Sequence, residues 1–322
     1  MVSRGVKVSS LTAAALAVAL AGCGASPSGD DDDALDANLG GDGSVPSIDG
    51  TPAFDAPSPD ARKIYDATPP SDATVEASTF DSLFRAFRLS LGMDLVPSDD
   101  NIRQSAQNHC FYCDNNPADC GPRENNPGAV GYTGENFWNR MAAAGFSGDA
   151  FTEVMSLFGD PSTAFPSWVA TVYHRIPLVS YQSSAYGYGA GMFCDTGDFA
   201  REDPADPDQR AHWPLADATE IPLAAATEFP EVGTPPNGYP ISLHGSSALT
   251  ISSHALVVGG AGTPVPYLLL DEASDPNGHV TALQVYLVPE DPLSAGTTYR
   301  ATISGTQNGS AFTTTWTFTT VI

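Results

Sequence analysis

Residues 131–174 read GYTGENFWNRMAAAGFSGDAFTEVMSLFGDPSTAFPSWVATVYH, and the fold class turns on this stretch. Phe151, Val154, Met155 and Phe158 recur at the spacing of one helix face, and Asp149 is placed to cap that helix. Pro166 suits the first turn of a following helix that carries Trp168, Val172 and Tyr173. Glu153 and His174 therefore fall on predicted helices, each beside bulky apolar residues. Upstream, Phe80, Leu83, Phe84, Phe87 and Leu91 keep helical spacing, and Gly92 follows as a stop. Ser98 or Asp99 caps a second helix through Ile102, Ala106 and His109-Cys110, and a third runs from Asn136 to Ala144. Downstream the pattern changes at Ser180. The run YGYGAGMFC, Tyr186 to Cys194, reads as a strand with small residues on one face, where another element packs closely. Helices first and strands threaded after them predict an α+β or sandwich-like domain.

Further on, residues 221–240 are Pro-rich and read as a connector. The rest is short β-type runs at 239–243, 248–251, 265–271, 281–287, 298–304 and 313–320. Pro-Asn-Gly at 276–278 and Gln-Asn-Gly at 307–309 supply turns. About six or seven strands in about 85 residues predict an all-β, immunoglobulin-like sandwich.

The chain has 322 residues and a formal charge of −25, from 38 acidic and 13 basic residues. That balance argues against a nucleic-acid partner, which needs a basic face, and against attachment to anionic lipid by charge. The N-terminus carries Arg4 and Lys7 before an apolar run, Leu11 to Ala21, of signal-peptide type. The run is short of the roughly 20 residues of a spanning helix. It ends in Leu20-Ala21-Gly22-Cys23, which resembles the bacterial lipobox. That resemblance implies an acylated Cys23 as new N-terminus, a lipid-membrane partner through the acyl anchor, and an extracytoplasmic protein on the outer membrane or cell surface of a bacterium. Cleavage near Ala25 with plain secretion is the alternative. Residues 24–78 are Asp, Ala, Pro, Ser and Gly, a composition that cannot offset its ordering entropy and predicts a disordered acidic linker.

With Cys23 assigned to lipid, Cys110, Cys113, Cys120 and Cys194 remain, and four cysteines pair in three ways. An oxidising compartment favours disulfides. We favour Cys113–Cys120 with Cys110–Cys194 over a bridge inside the Cys-Phe-Tyr-Cys turn. A zinc site of Cys110, Cys113 and Cys120 is the competing reading.

The order Ala106-Gln-Asn-His109, the GYTG loop, Glu153, Trp168, Tyr173-His174-Arg175-Ile176-Pro177-Leu178 and the Gly-rich strand resembles the CAP superfamily, in its bacterial SCP-like branch. The likeness covers about Thr79 to Leu223. It implies an α-β-α sandwich with a cleft of two histidines and two acids that in some members holds zinc or another divalent ion. Carried over, Glu153 matches a cleft acid and His174 the second cleft histidine. Where the first cleft histidine belongs the chain has Gly121-Pro122-Arg123-Glu124, so Glu124 is the substitute cleft partner; His109 lies where the family often has a non-ligand histidine. Pro292-Leu-Ser-Ala-Gly-Thr-Thr-Tyr299 with Thr315-Trp-Thr-Phe-Thr-Thr320 is similar to bacterial Ig-like domains. The organisation expected is 1–23 signal peptide with lipobox, 24–78 linker, 79–225 CAP domain, 226–237 connector and 238–322 Ig-like domain.

His174 with Glu153 supplies two metal ligands where zinc wants three or four, or a general-base pair; a structural pairing of the two residues is the plain alternative. No serine in a nucleophile elbow is visible. His212 and Trp213 read as closing the first domain. His244, His254 and His279 have no ligand spacing, and Asp271, Glu272 and Asp275 read as a solvated turn before a calcium site. The function expected is a membrane-anchored module that binds a lipid, a small hydrophobic ligand or a protein partner. The alternatives are a structural envelope protein with a vestigial cleft, and a metal-assisted hydrolase using Glu153 and His174.

Overall fold

The computed structural model describes residues 73–260 and 262–322. The lipobox with Cys23, the apolar run before it and nearly all of the acidic linker lie outside the described residues. Five helices, α1 (Ala73–Ser90), α2 (Asp100–Asn115), α3 (Phe137–Ala143), α4 (Pro161–Val169) and α5 (Arg175–Leu178), accompany a sheet of β1 (Ala150–Ser156), β2 (Ser183–Ala190) and β3 (Asp195–Arg201). Eight further strands follow: β4 (Arg210–Trp213), β5 (Ala218–Ile221), β6 (Ile241–Gly245), β7 (Leu249–Val258), β8 (Tyr267–Leu270), β9 (Gln284–Pro289), β10 (Thr298–Gln307) and β11 (Ser310–Thr320). The fold class is α+β.

The first sheet runs β1-β3-β2, antiparallel throughout. Its two faces differ in chemistry because alternate residues point opposite ways. Tyr186, Tyr188 and Phe199 pack with Phe80 and Phe84 of α1 and Trp168 of α4 in one aromatic core. Gly187 and Gly189 face α2 instead. A Cβ on Gly187 would lie 2.0 Å from the Arg103 nitrogen, and one on Gly189 2.3 Å from that of Gln107. Only glycine admits a helix backbone so close to a strand. The small-residue face read from the sequence is thus the seat of α2, and the sheet has a helix layer on each side.

The helix ends follow their signals. Asp99 accepts hydrogen bonds from the Asn101 and Ile102 nitrogens at the start of α2. Gly92 turns the chain after α1 with φ +70°. Two expectations fail in the decisive stretch. Glu153 stands on strand β1, not on a helix, because residues 150–156 pair with β3. Phe158, placed inward by helical spacing, is exposed. The helix expected to run on to His174 stops at Val169, holds Pro166 in its interior, and leaves His174 in the turn before α5.

The remaining strands form two four-stranded sheets, β5-β11-β10-β7 and β4-β6-β9-β8. Ile241, Leu243, Val285 and Leu287 of one meet Leu256, Ile303, Trp316 and Phe318 of the other in a shared apolar layer. Asn308 and Gly309, with φ +48° and +75°, make the tight β10–β11 turn that Asn-Gly announces. Strands β4 and β5 precede the expected connector at 226–237, yet β4 pairs with β6 and β5 with β11. His212 and Trp213 therefore belong to the C-terminal sheets, where His212 stacks on Trp316.

Candidate functional site

The carried-over acids converge on one residue, Arg140 of α3. Glu153 and Asp198 are cross-strand partners in β1 and β3, and Glu124 comes from the loop after α2. Arg140 donates through Nη2 to Glu153 Oε2 and pairs through Nε with Glu124 Oε1 at 3.9 Å. Its Nη1 donates to the Glu135 carbonyl at 3.2 Å. His109 Nδ1 lies 3.1 Å from Glu124 Oε1. Glu124 Oε2 accepts from the Thr133 and Gly134 nitrogens at 2.6 and 3.3 Å, which fastens the GYTG loop to the cluster. Ser105 Oγ donates to Asp198 Oδ2 at 2.6 Å. All of these side chains are buried.

The electrostatics follow from that enclosure. The Asp198 carboxyl is held well above the usual carboxylate range, by burial first and by the charge of Glu153 second. The neighbouring Glu153 carboxyl favours its protonated form. Glu153 Oε1 and Asp198 Oδ1 are buried without another hydrogen-bond partner among the described residues. Burial works against the charge of Arg140, but Glu153 and Asp198 outweigh it and raise its pKa. The cluster is a pair of facing carboxyl groups capped by a guanidinium. A general base must reach a substrate proton, and this one faces inward.

His174 lies elsewhere. Its Nδ1 is 3.7 Å from Glu228 Oε2 and 3.4 Å from Thr171 Oγ1. Glu228 accepts from the Val172 and Tyr173 nitrogens, both at 2.8 Å. The neighbouring Arg175 is buried and donates to the Val169 and Pro240 carbonyls at 2.6 and 2.8 Å and to Ser242 Oγ at 3.1 Å. Its guanidinium lies over the rings of Tyr239 and Tyr286. Tyr286 donates to the Val172 carbonyl, and Tyr173 to Asp275. The Tyr-His-Arg segment thus fastens the helical part to the C-terminal sheets.

Of the sequence candidates, the structure brings Glu153 and Glu124 together through Arg140 and leaves His174 with Glu228. Zinc needs three or four ligands. Glu153 is occupied by Arg140, and among the described residues no group of three or more His, Cys, Asp or Glu is placed to hold a metal ion. The residues present do not fit a zinc site at Glu153 and His174. The cysteines pair as Cys110–Cys194 and Cys113–Cys120, which overturns the zinc reading of Cys110, Cys113 and Cys120. Asp275 accepts from the His279 and Val280 nitrogens as well as from Tyr173, so it organises a turn. Sequence reasoning missed Arg140, Asp198, Arg175 and Glu228. With acids outnumbering bases 38 to 13, arginines inside predicted helices were the available signal.

A different concavity lies at the seam. A cavity of ≈ 280 Å³ is walled by Val172, Ala226, Val232, Pro236 and Val288, with Glu228 among its polar lining. No helix of the described residues is long and apolar enough to cross a membrane.

No family model matches this chain, and no curated protein does. Among solved structures, an extracellular protein containing an SCP domain from Bacillus anthracis str. Ames is similar, at 15% identity and a TM-score of 0.37. The match covers 46% of this chain and 45% of that one, so the chain spans less than half the length of that protein.

Proposed function

We propose that the chain is an extracytoplasmic, lipid-anchored binding module: a CAP-like α-β-α part that takes a small hydrophobic ligand, followed by an Ig-like sandwich. The observation that carries this reading is the seam cavity, an apolar concavity left accessible while the acids of the expected cleft turn inward on Arg140. Its volume lies at the lower edge of the about 300–1,000 Å³ usual for ligand pockets, which favours a small molecule over a two-chain lipid. Carboxylates of Glu228 and Glu231 in its lining disfavour an acidic ligand. Two disulfides in the helical part agree with an oxidising compartment.

The test is fluorescence titration with 1-aminoanthracene, a small uncharged aromatic probe. Saturable enhancement is expected in the unmodified chain. It should be lost in Thr227→Trp, where an exposed residue at the lining becomes large enough to fill the space, and kept in Glu153→Gln. No enhancement, or enhancement indifferent to Thr227→Trp, would favour a structural envelope protein.

A further inference from the structure

Four large apolar side chains stand in solvent at one end of the first sheet. Leu157 and Phe158, in the turn after β1, are 62% and 51% exposed, and Met192 and Phe193, in the β2–β3 turn, are 77% and 40% exposed. The register places both turns together, since Ser156 and Ala190 each pair with Asp195. Their backbones abut: a Cβ on Gly159 would lie 2.5 Å from the Met192 carbonyl oxygen.

These turns are built, not frayed. Asp195 accepts from the Phe158 and Gly159 nitrogens at 3.1 and 2.7 Å, and Asp114 of α2 accepts from the Met192 nitrogen at 2.8 Å. Asp160 accepts from the Ser162 nitrogen and Thr163 Oγ1 at the start of α4. The carboxylates nearest the tips are thus engaged behind them, and residues 156–159 and 191–194 carry no charged side chain. Rigid apolar tips on adjacent turns make a wedge, and a wedge suits a soft apolar phase better than the flat surface of a folded partner.

We infer that Leu157, Phe158, Met192 and Phe193 form a membrane-docking tip that inserts into the interfacial region of a lipid bilayer. The chain outside the described residues supplies the opportunity. About 50 residues separate Cys23 from Ala73, so an acyl anchor at Cys23 would hold the tips near the membrane and add avidity to an insertion that stands on its own. With a formal charge of −25 the attraction is apolar, not electrostatic. The inference shares with the proposed function only the anchor at Cys23 and does not depend on the seam cavity.

The experiment is flotation with phosphatidylcholine vesicles of the chain lacking residues 1–23, all of which lie outside the described residues. The protein is expected to float, to do so equally in 0.5 M salt, and to float less when phosphatidylglycerol is added. Phe158→Ser with Met192→Ser should lower the partition coefficient about tenfold or more, because each large apolar side chain withdrawn from water is worth that order. Leu89→Ser, at an exposed apolar residue of α1, should leave it unchanged, and near-ultraviolet circular dichroism of both variants reports that the fold is kept. No flotation of the unmodified chain, or equal flotation of the double variant, overturns the inference. Labelled palmitate incorporated into the intact chain and lost in Cys23→Ala reads the anchor separately.

Discussion

Glu153 and Asp198 are opposed across β1 and β3, where two like charges repel. Two things act against this: burial and the charge of Glu153 raise the Asp198 pKa, which favours its neutral form, and Arg140 pairs with Glu153. The pH dependence follows. A carboxyl whose native pKa is raised binds a proton in the folded chain where the unfolded chain has already released it. Its stabilising contribution is therefore present at low pH and is lost as pH rises from about 4 toward the raised native value. Asp198→Asn presents the same shape without the ionisation, with its amide donating to Glu153 and its carbonyl accepting from Ser105. Urea unfolding across pH should show a flatter profile in the variant and equal or greater stability at neutral pH. A neutral-pH loss above about 1 kcal/mol would mean that Asp198 is ionised and paired in its own right.

At the scale of elements, the seat of α2 on β2 rests on missing side chains. Adding a methyl group at Gly189 brings it 2.3 Å from the Gln107 nitrogen and 2.4 Å from the Ala106 carbonyl carbon, both backbone atoms that cannot step aside. Gly189→Ala should cost at least the about 1–3 kcal/mol of core overpacking in equilibrium unfolding. Gly121→Ala, where nothing lies within 4 Å, should cost far less. This seat was legible in the sequence because glycines at alternate positions of a strand carry local information. The caps of α1 and α2 and the β10–β11 turn were legible for the same kind of reason, whereas the sequence left three cystine pairings open and the favoured one is the pairing found. Strand β1 was not. Phe151, Val154, Met155 and Phe158 satisfy helical spacing, but pairing with β3 decides the conformation, and that partner lies some forty residues away. Arg140 and Asp198 are single charged residues in ordinary surroundings, and only the folded chain shows that they share a site. Glu228 sits in a Pro-rich stretch that reads as a connector, and its role appears once it meets the nitrogens of Val172 and Tyr173.

Across the whole molecule, the Thr171–Arg175 turn binds the helical part to the facing sheets. Arg175 enters the C-terminal core, Glu228 closes back on the turn, and Tyr173 and Tyr286 cross the seam in opposite directions. The described residues lie within one compact unit. The segment that the family resemblance marks as a cleft wall is here a clamp, and Glu153, the other half of the expected pair, is committed to Arg140. The central claim is that Glu153 and His174 do not make a common metal or catalytic site. The most direct test is calorimetric titration of zinc into the chain from residue 24 onward, beside Glu153→Gln and His174→Ala. The structure predicts no one-to-one binding that depends on both residues. Micromolar, stoichiometric binding abolished by either substitution would contradict it, because the two side chains would then have to leave Arg140 and Glu228 and meet at one ion.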